Sequence, residues 1–281
     1  MRAIAFATVL RSRSGRRSLP ARARWRTRRS SALGQSIDGG PDRVDDCGLL
    51  STDARAPGRP VDSARYAALA RATGIIGIFF VALLFGPIIA LSTAGEPPLD
   101  ATASEAAKYF DKIEATWAQL AIAVSTLGWI ASLWFFVAFG YLLRRVEGDP
   151  PWRSSVATLS GALLAAYGLV GVSVAAASLH GGRISRDVAD FAFAFGSVGF
   201  ANAWIAVASF ALSSGWVLLS TGALGRWMGW WLIVVGLGLV PARFLWTHDL
   251  WTVPYLLFWT WLLVLSVRLI RRPNLLEPVA I

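Results

Sequence analysis

After residue 60 the chain alternates long uncharged stretches with short polar connections. A helix that crosses about 30 Å of hydrocarbon needs about 20 apolar residues. The first such stretch, residues 72–93, carries no charge and holds Pro87 near its second end, where a kink is expected. Residues 115–143 form the second and residues 154–179 the third. The run from Phe191 to Gly225 exceeds one perpendicular crossing, so the fourth span, residues 193–220, is expected to be a tilted helix with an interfacial start. A fifth follows over residues 227–246 and a sixth over residues 250–270. The pattern predicts an all-α fold, a polytopic membrane bundle of six transmembrane helices. It divides the chain into a leader (residues 1–60), the six-helix domain (61–273) and a short C-terminal tail (274–281).

Lys and Arg in alternate flanks set the expected orientation. One set holds Arg65, Arg71, Arg144, Arg145, Arg153, Arg226, Arg268, Arg271 and Arg272; the other holds Lys108, Lys112, Arg183 and Arg186, with Arg243 between them. Nine against four or five predicts both termini in the cytoplasm, with the protein a multi-pass resident of a bacterial plasma membrane. Trp117, Trp152, Trp227, Trp230 and Trp251 fall where an interfacial aromatic belt is expected. In the first outer loop, Thr102-Ala103-Ser104-Glu105 fits a capping box, with the Thr102 hydroxyl satisfying a free amide and Glu105 reaching back. Ala103, Ala106, Ala107, Phe110, Ile113 and Trp117 then recur at helical spacing, which predicts an amphipathic interfacial helix.

Composition agrees with the membrane reading: 55% of the 281 residues are hydrophobic and only 16% are charged. The formal net charge of +10 invites a nucleic-acid reading, but residues 1–60 hold 13 arginines against five acids. The remaining 14 basic and 12 acidic residues leave the six-helix domain nearly neutral, so no nucleic-acid partner is expected. The leader lacks apolar periodicity and reads as disordered. It could serve as a basic arm on anionic lipid, a targeting leader or a nucleic-acid tail; against these stands a true start downstream, for instance at Val61. Its arginines follow the short apolar run Ala3–Leu10, which argues against a signal peptide. Cys47 is the single cysteine and can form no intrachain disulfide.

Small residues let membrane helices approach closely. In the third span Ala157, Gly161 and Ala165 repeat every four residues, and Gly161, Gly168 and Ala175 every seven, which predicts a central helix. Such faces could also join copies or other proteins in a homo- or hetero-oligomer, beside the lipid bilayer itself as partner. Gly225 and Gly229 share the spacing but stand at a turn, where they could simply cap a hairpin.

Ionisable groups inside a span are costly and hence functional candidates. Arg243 should lie near the outer headgroups, where it can snorkel to water or pair with Asp249, Asp190 or Asp187. His180 and His248 are the two histidines, both expected at outer span ends, where they could ligate one haem or a metal. Asn202 is the buried amide of the fourth span and is expected to bond another helix. There is no nucleophile elbow, Walker loop or His-Glu-x-x-His helix, so no catalytic set and no cofactor are expected.

From about Ala64 to Pro273 the chain resembles a group of uncharacterised six-helix membrane proteins common in high-GC Gram-positive bacteria. The resemblance rests on Arg71-Ala72-Thr73-Gly74, on Ala106-Ala107-Lys108-Tyr109-Phe110, and on Gly225-Arg226-Trp227-Met228-Gly229-Trp230-Trp231. It implies fold and location, and no activity. Three functions then compete. The first is a structural or accessory membrane protein. The second is a transporter or binding protein for an apolar or aromatic small molecule, its pocket lined by Trp134, Trp204, Trp246 and Trp259. The third is a haem- or metal-binding redox protein resting on His180 and His248.

Overall fold

Peptide groups in hydrocarbon have no partner but one another, so each uncharged run coils into a helix that satisfies its own N–H and C=O groups. The computed structural model describes residues 60–92, 101–102, 104–105, 108, 115–179, 186–246 and 248–276. The helices are α1 (Pro60–Ser92), α2 (Ala115–Glu147), α3 (Trp152–Leu179), α4 (Arg186–Thr221), α5 (Arg226–Phe244) and α6 (Thr252–Arg271). Short 3-10 helices occupy Asp249–Trp251, ahead of α6, and Pro273–Leu276, after it. No strand occurs among the described residues. The six helices are long and apolar enough to cross a membrane, which makes the chain a multi-pass membrane protein. The leader, the end of the tail and most of the first loop lie outside the described residues.

Two boundaries differ from the hydropathy pattern. α1 starts at Pro60, well before the uncharged run, and continues through Pro87. Proline at a helix start forfeits no hydrogen bond, and the exposed side chains of Arg65 and Arg71 let those turns extend past the apolar segment. α4 is one unbroken helix of 36 residues, so the long fourth run is a single element with an extension ahead of its span.

Helices adjacent in sequence pack together, and α6 closes the ring by meeting α1 as well as α5. α2 also touches α4 across the ring. The space between them is filled by rings. Phe136 meets Phe210 edge-on at 4.9 Å, and Phe139 meets Trp261 at 6.0 Å, all four fully buried. Such edge-to-face contacts add to the packing of a core that holds no charge. The Trp261 indole N–H donates to the Met228 carbonyl at 3.1 Å, which ties α6 to the first turn of α5.

The buried helix is α4, not α3. Two thirds (67%) of the α4 span lies inside the bundle, against 22% for α3. Small residues mark where one neighbour comes close, and a single stripe suffices for that. A Cβ at Gly161 would collide with Phe136, and one at Gly168 with Trp129, both on α2. The small-residue repeat is therefore the inner stripe of a peripheral helix. α4, flanked by α3 and α5 with α2 opposite, buries Trp204, Val207, Phe210, Val217 and Leu218. Gly225 opens α5 at φ +85°, while Gly229 packs so closely on Gly215 that a Cβ on either would stand 3.0 Å from the other's carbonyl oxygen. That pair of glycines serves both the turn and the packing.

The end of the bundle nearest the termini is held by charge. The buried Glu147 carboxylate, at the end of α2, accepts the Arg153 and Ser154 backbone N–H groups at 3.0 and 2.8 Å. It also accepts the Arg153 Nε–H at 2.8 Å. It thus caps α3, whose first turn carries free N–H groups and a partial positive charge. Arg145 stacks 3.4 Å above the Tyr66 ring, and Arg268 donates to the Leu224 carbonyl at 3.0 Å in the α4–α5 turn. Trp152, Trp227 and Trp230 are about half exposed, as a belt requires, whereas Trp251 turns inward and stacks on Trp204 at 5.1 Å.

In the loop after α1, Ser104, Glu105 and Lys108 are helical. The Thr102 backbone N–H donates to Glu105 Oε2 at 2.8 Å, so Glu105 does reach back. The Thr102 hydroxyl donates to the same oxygen at 2.8 Å, where the motif leads one to expect it to accept from an amide. The rest of the expected amphipathic helix lies mainly outside the described residues.

Two measurements test these contacts. The Thr102 backbone N–H, and then its hydroxyl, hold the Glu105 carboxyl below the ordinary glutamate value. The cap is then complete at neutral pH and is lost as pH falls through that depressed value; a carboxyl 13C titration midpoint at or above the ordinary value would refute it. Gly168→Leu drives a side chain into Trp129 and should destabilise by about 1–3 kcal/mol. Gly171→Leu, one turn on and facing open space, should leave the thermal midpoint of the detergent-solubilised protein nearly unchanged.

Candidate functional site

Toward the end of the bundle away from the termini, α3 and α4 present bare glycines to an open space. Closer to the termini they are joined by Ser160 and Ser209, whose hydroxyls lie 2.7 Å apart. Further along, Gly171 on α3 and Gly196 and Gly199 on α4 have no neighbouring atom within 4 Å of where a Cβ would stand. The space left is a cavity of about 670 Å³, lined by these glycines and by residues of α1, α2, α3, α4 and α6. That size suits a small organic ligand.

One wall is aromatic. Trp129, Trp204, Tyr255 and Trp259 line it. Phe200, also in the lining, meets Trp204 edge-on at 5.4 Å, Tyr255 meets Trp259 at 5.7 Å, and Trp259 meets Phe85, outside the lining, at 5.1 Å. These rings brace one another, so the wall is stiff. The indole nitrogen of Trp204 is buried with no hydrogen-bond partner among the described residues, a state that costs about 1–3 kcal/mol.

The polar residues of the lining are Asn202, Ser125, Tyr167 and Tyr255. Arg243 Nε donates to Asn202 Oδ1 at 2.8 Å across the α4–α5 contact. A guanidinium can only donate, so it orients the amide with oxygen toward Arg243 and nitrogen away. Asn202 thus bonds another helix, as its sequence position suggested. Arg243, expected to reach water or to pair with Asp249, Asp190 or Asp187, bonds the Asn202 amide; the side chains of Asp190 and Asp187 lie outside the described residues. Arg243 sits 17 residues beyond Arg226, about 26 Å along α5, near the far boundary of a hydrocarbon layer of about 30 Å. A neutral amide next door costs less desolvation there than a second charge.

The other candidates lie elsewhere. Asp249 is exposed in a shallow groove with Val234, Gly238, Leu250 and Val253 and makes no ion pair among the described residues. The neighbouring His248 is exposed. Asp190 falls in the first turns of α4, but its side chain, like that of Asp187 and all of His180, lies outside the described residues. Among the described residues no group of three or more His, Cys, Asp or Glu side chains converges as metal ligands would. Of the four tryptophans expected around a pocket, Trp204 and Trp259 line the cavity. Trp134 is 67% exposed on the outer face of α2, and Trp246 packs against the core outside the lining. Trp129, Tyr255 and the three bare glycines were missed. The Gly196-x-x-Gly199 spacing was the available signal, although the same spacing serves closed contacts equally well.

No protein-family model matches the chain, and no curated protein or solved structure matches it.

The Asn202–Arg243 contact is testable by a double-mutant cycle with Asn202→Leu and Arg243→Leu. A coupling of about 0.5–2 kcal/mol is expected, the range for hydrogen bonds between membrane helices. Additive effects on thermal stability would mean that the two side chains do not support one another.

Proposed function

We propose that the chain is a binding protein or carrier for an apolar or aromatic small molecule within the membrane. The cavity carries this reading: a stiff aromatic wall and three glycines, Gly171, Gly196 and Gly199, border one apolar space, with no neighbouring atom within 4 Å of the glycines' Cβ positions. The cavity opens at the surface of the bundle, where the lining residues Leu163, Val170, Phe195 and Val198 are exposed, so an apolar molecule dissolved in the bilayer has a route into it. The nine-to-four-or-five distribution of bases supports setting the termini and the Glu147 cap on the cytoplasmic side of a bacterial plasma membrane. The cavity would then lie in the outer half of the bilayer. The resemblance to six-helix proteins of high-GC Gram-positive bacteria agrees with that location. For the accessory role no surface stands out, because the small residues of α3 that would serve it already touch α2.

Filling the cavity tests the proposal. Gly199→Leu places a side chain where nothing stands within 4 Å of the Cβ position. It should fold normally yet weaken labelling of the lining peptides by a photoreactive aromatic or alkyl probe about tenfold, since added volume competes with ligand volume. Equal labelling of the variant and the wild type, read by mass spectrometry, would remove the cavity from consideration as a ligand site.

A further inference from the structure

Between Asn202 and Arg243 themselves donors outnumber acceptors; the Ser125, Tyr167 and Tyr255 hydroxyls also line the cavity and can accept, but no hydrogen bond joins them to Asn202 among the described residues. A guanidinium carries five N–H donors and an amide nitrogen two, and neither has an acceptor to spare once the Asn202 oxygen is engaged. The one bond between them uses a single Arg243 donor. No hydrogen bond engages Asn202 Nδ2 among the described residues, although the residue lines the cavity. α5 contains no acid, and the ion pair found among the described residues, Arg153 with Glu147, is at the opposite end of the bundle. A purely hydrocarbon occupant would strip water from the Nδ2 donors and return nothing, a loss of the kind that makes unpaired buried polar groups costly. An occupant with an acceptor oxygen would complete the set, and a negative charge on it would also answer the Arg243 cation.

We propose that the cavity takes an apolar molecule bearing an acceptor oxygen, a carboxylate or a carbonyl, recognised by the Asn202 amide N–H groups. Arg243, which is not part of the lining, acts as a positioning residue: it holds the amide oxygen so that the donors are presented. This rests on the reading of the cavity as a ligand site, and the two can fail separately.

The test uses the full chain in detergent micelles and three diazirine-bearing alkyl probes of equal length, ending in a carboxylate, a methyl ester or a methyl group. Labelled peptides covering residues 163–172 and 195–207 are quantified against probe concentration. The carboxylate and the ester should half-saturate the lining at concentrations about fivefold or more below the methyl probe, the worth of one hydrogen bond. Asn202→Leu should bring both to the methyl value and leave the methyl probe unmoved. Asn202→Asp keeps a partner for Arg243 yet offers only acceptors, so it should fold even if the leucine variant does not, and it should discriminate against the carboxylate. Arg243→Gln should reduce the lead of the carboxylate over the ester, and Arg243→Lys should restore part of it. Equal half-saturation by all three probes, or an Asn202→Asp variant that still prefers the carboxylate, overturns the recognition proposal while leaving the cavity as a site. Failure of every probe to label the lining overturns the cavity reading itself.

Discussion

Hydrocarbon neither donates nor accepts hydrogen bonds, and it is as apolar as the side chains it surrounds. The first property forces each span to be a continuous helix. The second removes the usual reason for helices to associate, because burying leucine against leucine gains little when lipid is the alternative. What remains is shape: a bundle holds together where its surfaces approach more closely than lipid tails can. Here that shape is built from rings set against glycines. Phe136 lies over Gly161, Trp129 over Gly168, and Phe135 over Gly77, so α2 is keyed into both α1 and α3. Hydrogen bonding enters at the helix ends, where the Glu147 carboxylate and the Arg268 guanidinium hold the hairpins in register.

The same pairing explains how a cavity can exist in so closely fitted a molecule. A glycine opposite a large ring is a socket that is filled. Gly171, Gly196 and Gly199 are sockets without a ring, and three of them share one stretch of the α3–α4 contact. Closing that gap would require α3 and α4 to approach along their whole length, yet the Ser160–Ser209 contact already sets their spacing nearer the termini. Beyond that contact the glycines leave a space that the braced aromatic wall does not fill.

Much of this was legible in the sequence, for a simple reason. Span number and span limits depend on local composition, and composition is printed along the chain. Helix depth within the bundle is not local. The regular small residues of α3 suggested a central helix, but periodicity reports how close one neighbour comes and not how many neighbours there are. α4, with fewer such repeats, is the buried one because of its place in the ring. For the site, Asn202 was readable as an interhelical amide because few other options exist in a span. That the other helix would contribute Arg243 was not legible, because chemical complementarity draws attention to the acids nearby, whereas depth and desolvation favour an amide. Trp204 and Trp259 were found by residue type alone, and the same criterion picked out Trp134, which faces outward.

The arrangement of the core also bears on what a bound molecule could do. Toward the termini the cavity gives way to Phe136, Phe139, Phe210 and Trp261, all fully buried and in mutual ring contact. Trp261 cannot swing aside without breaking its bond to the Met228 carbonyl, and Phe136 is wedged over Gly161. This layer of rings separates the cavity from the basic end. Binding requires nothing of the layer. Carriage across the membrane would require it to repack, with α4 and α6 moving relative to α2, and the cost would fall on interlocked rings that act together. The geometry therefore supports binding more directly than transport, and a transport cycle would need the occupant to supply the energy that loosens this layer.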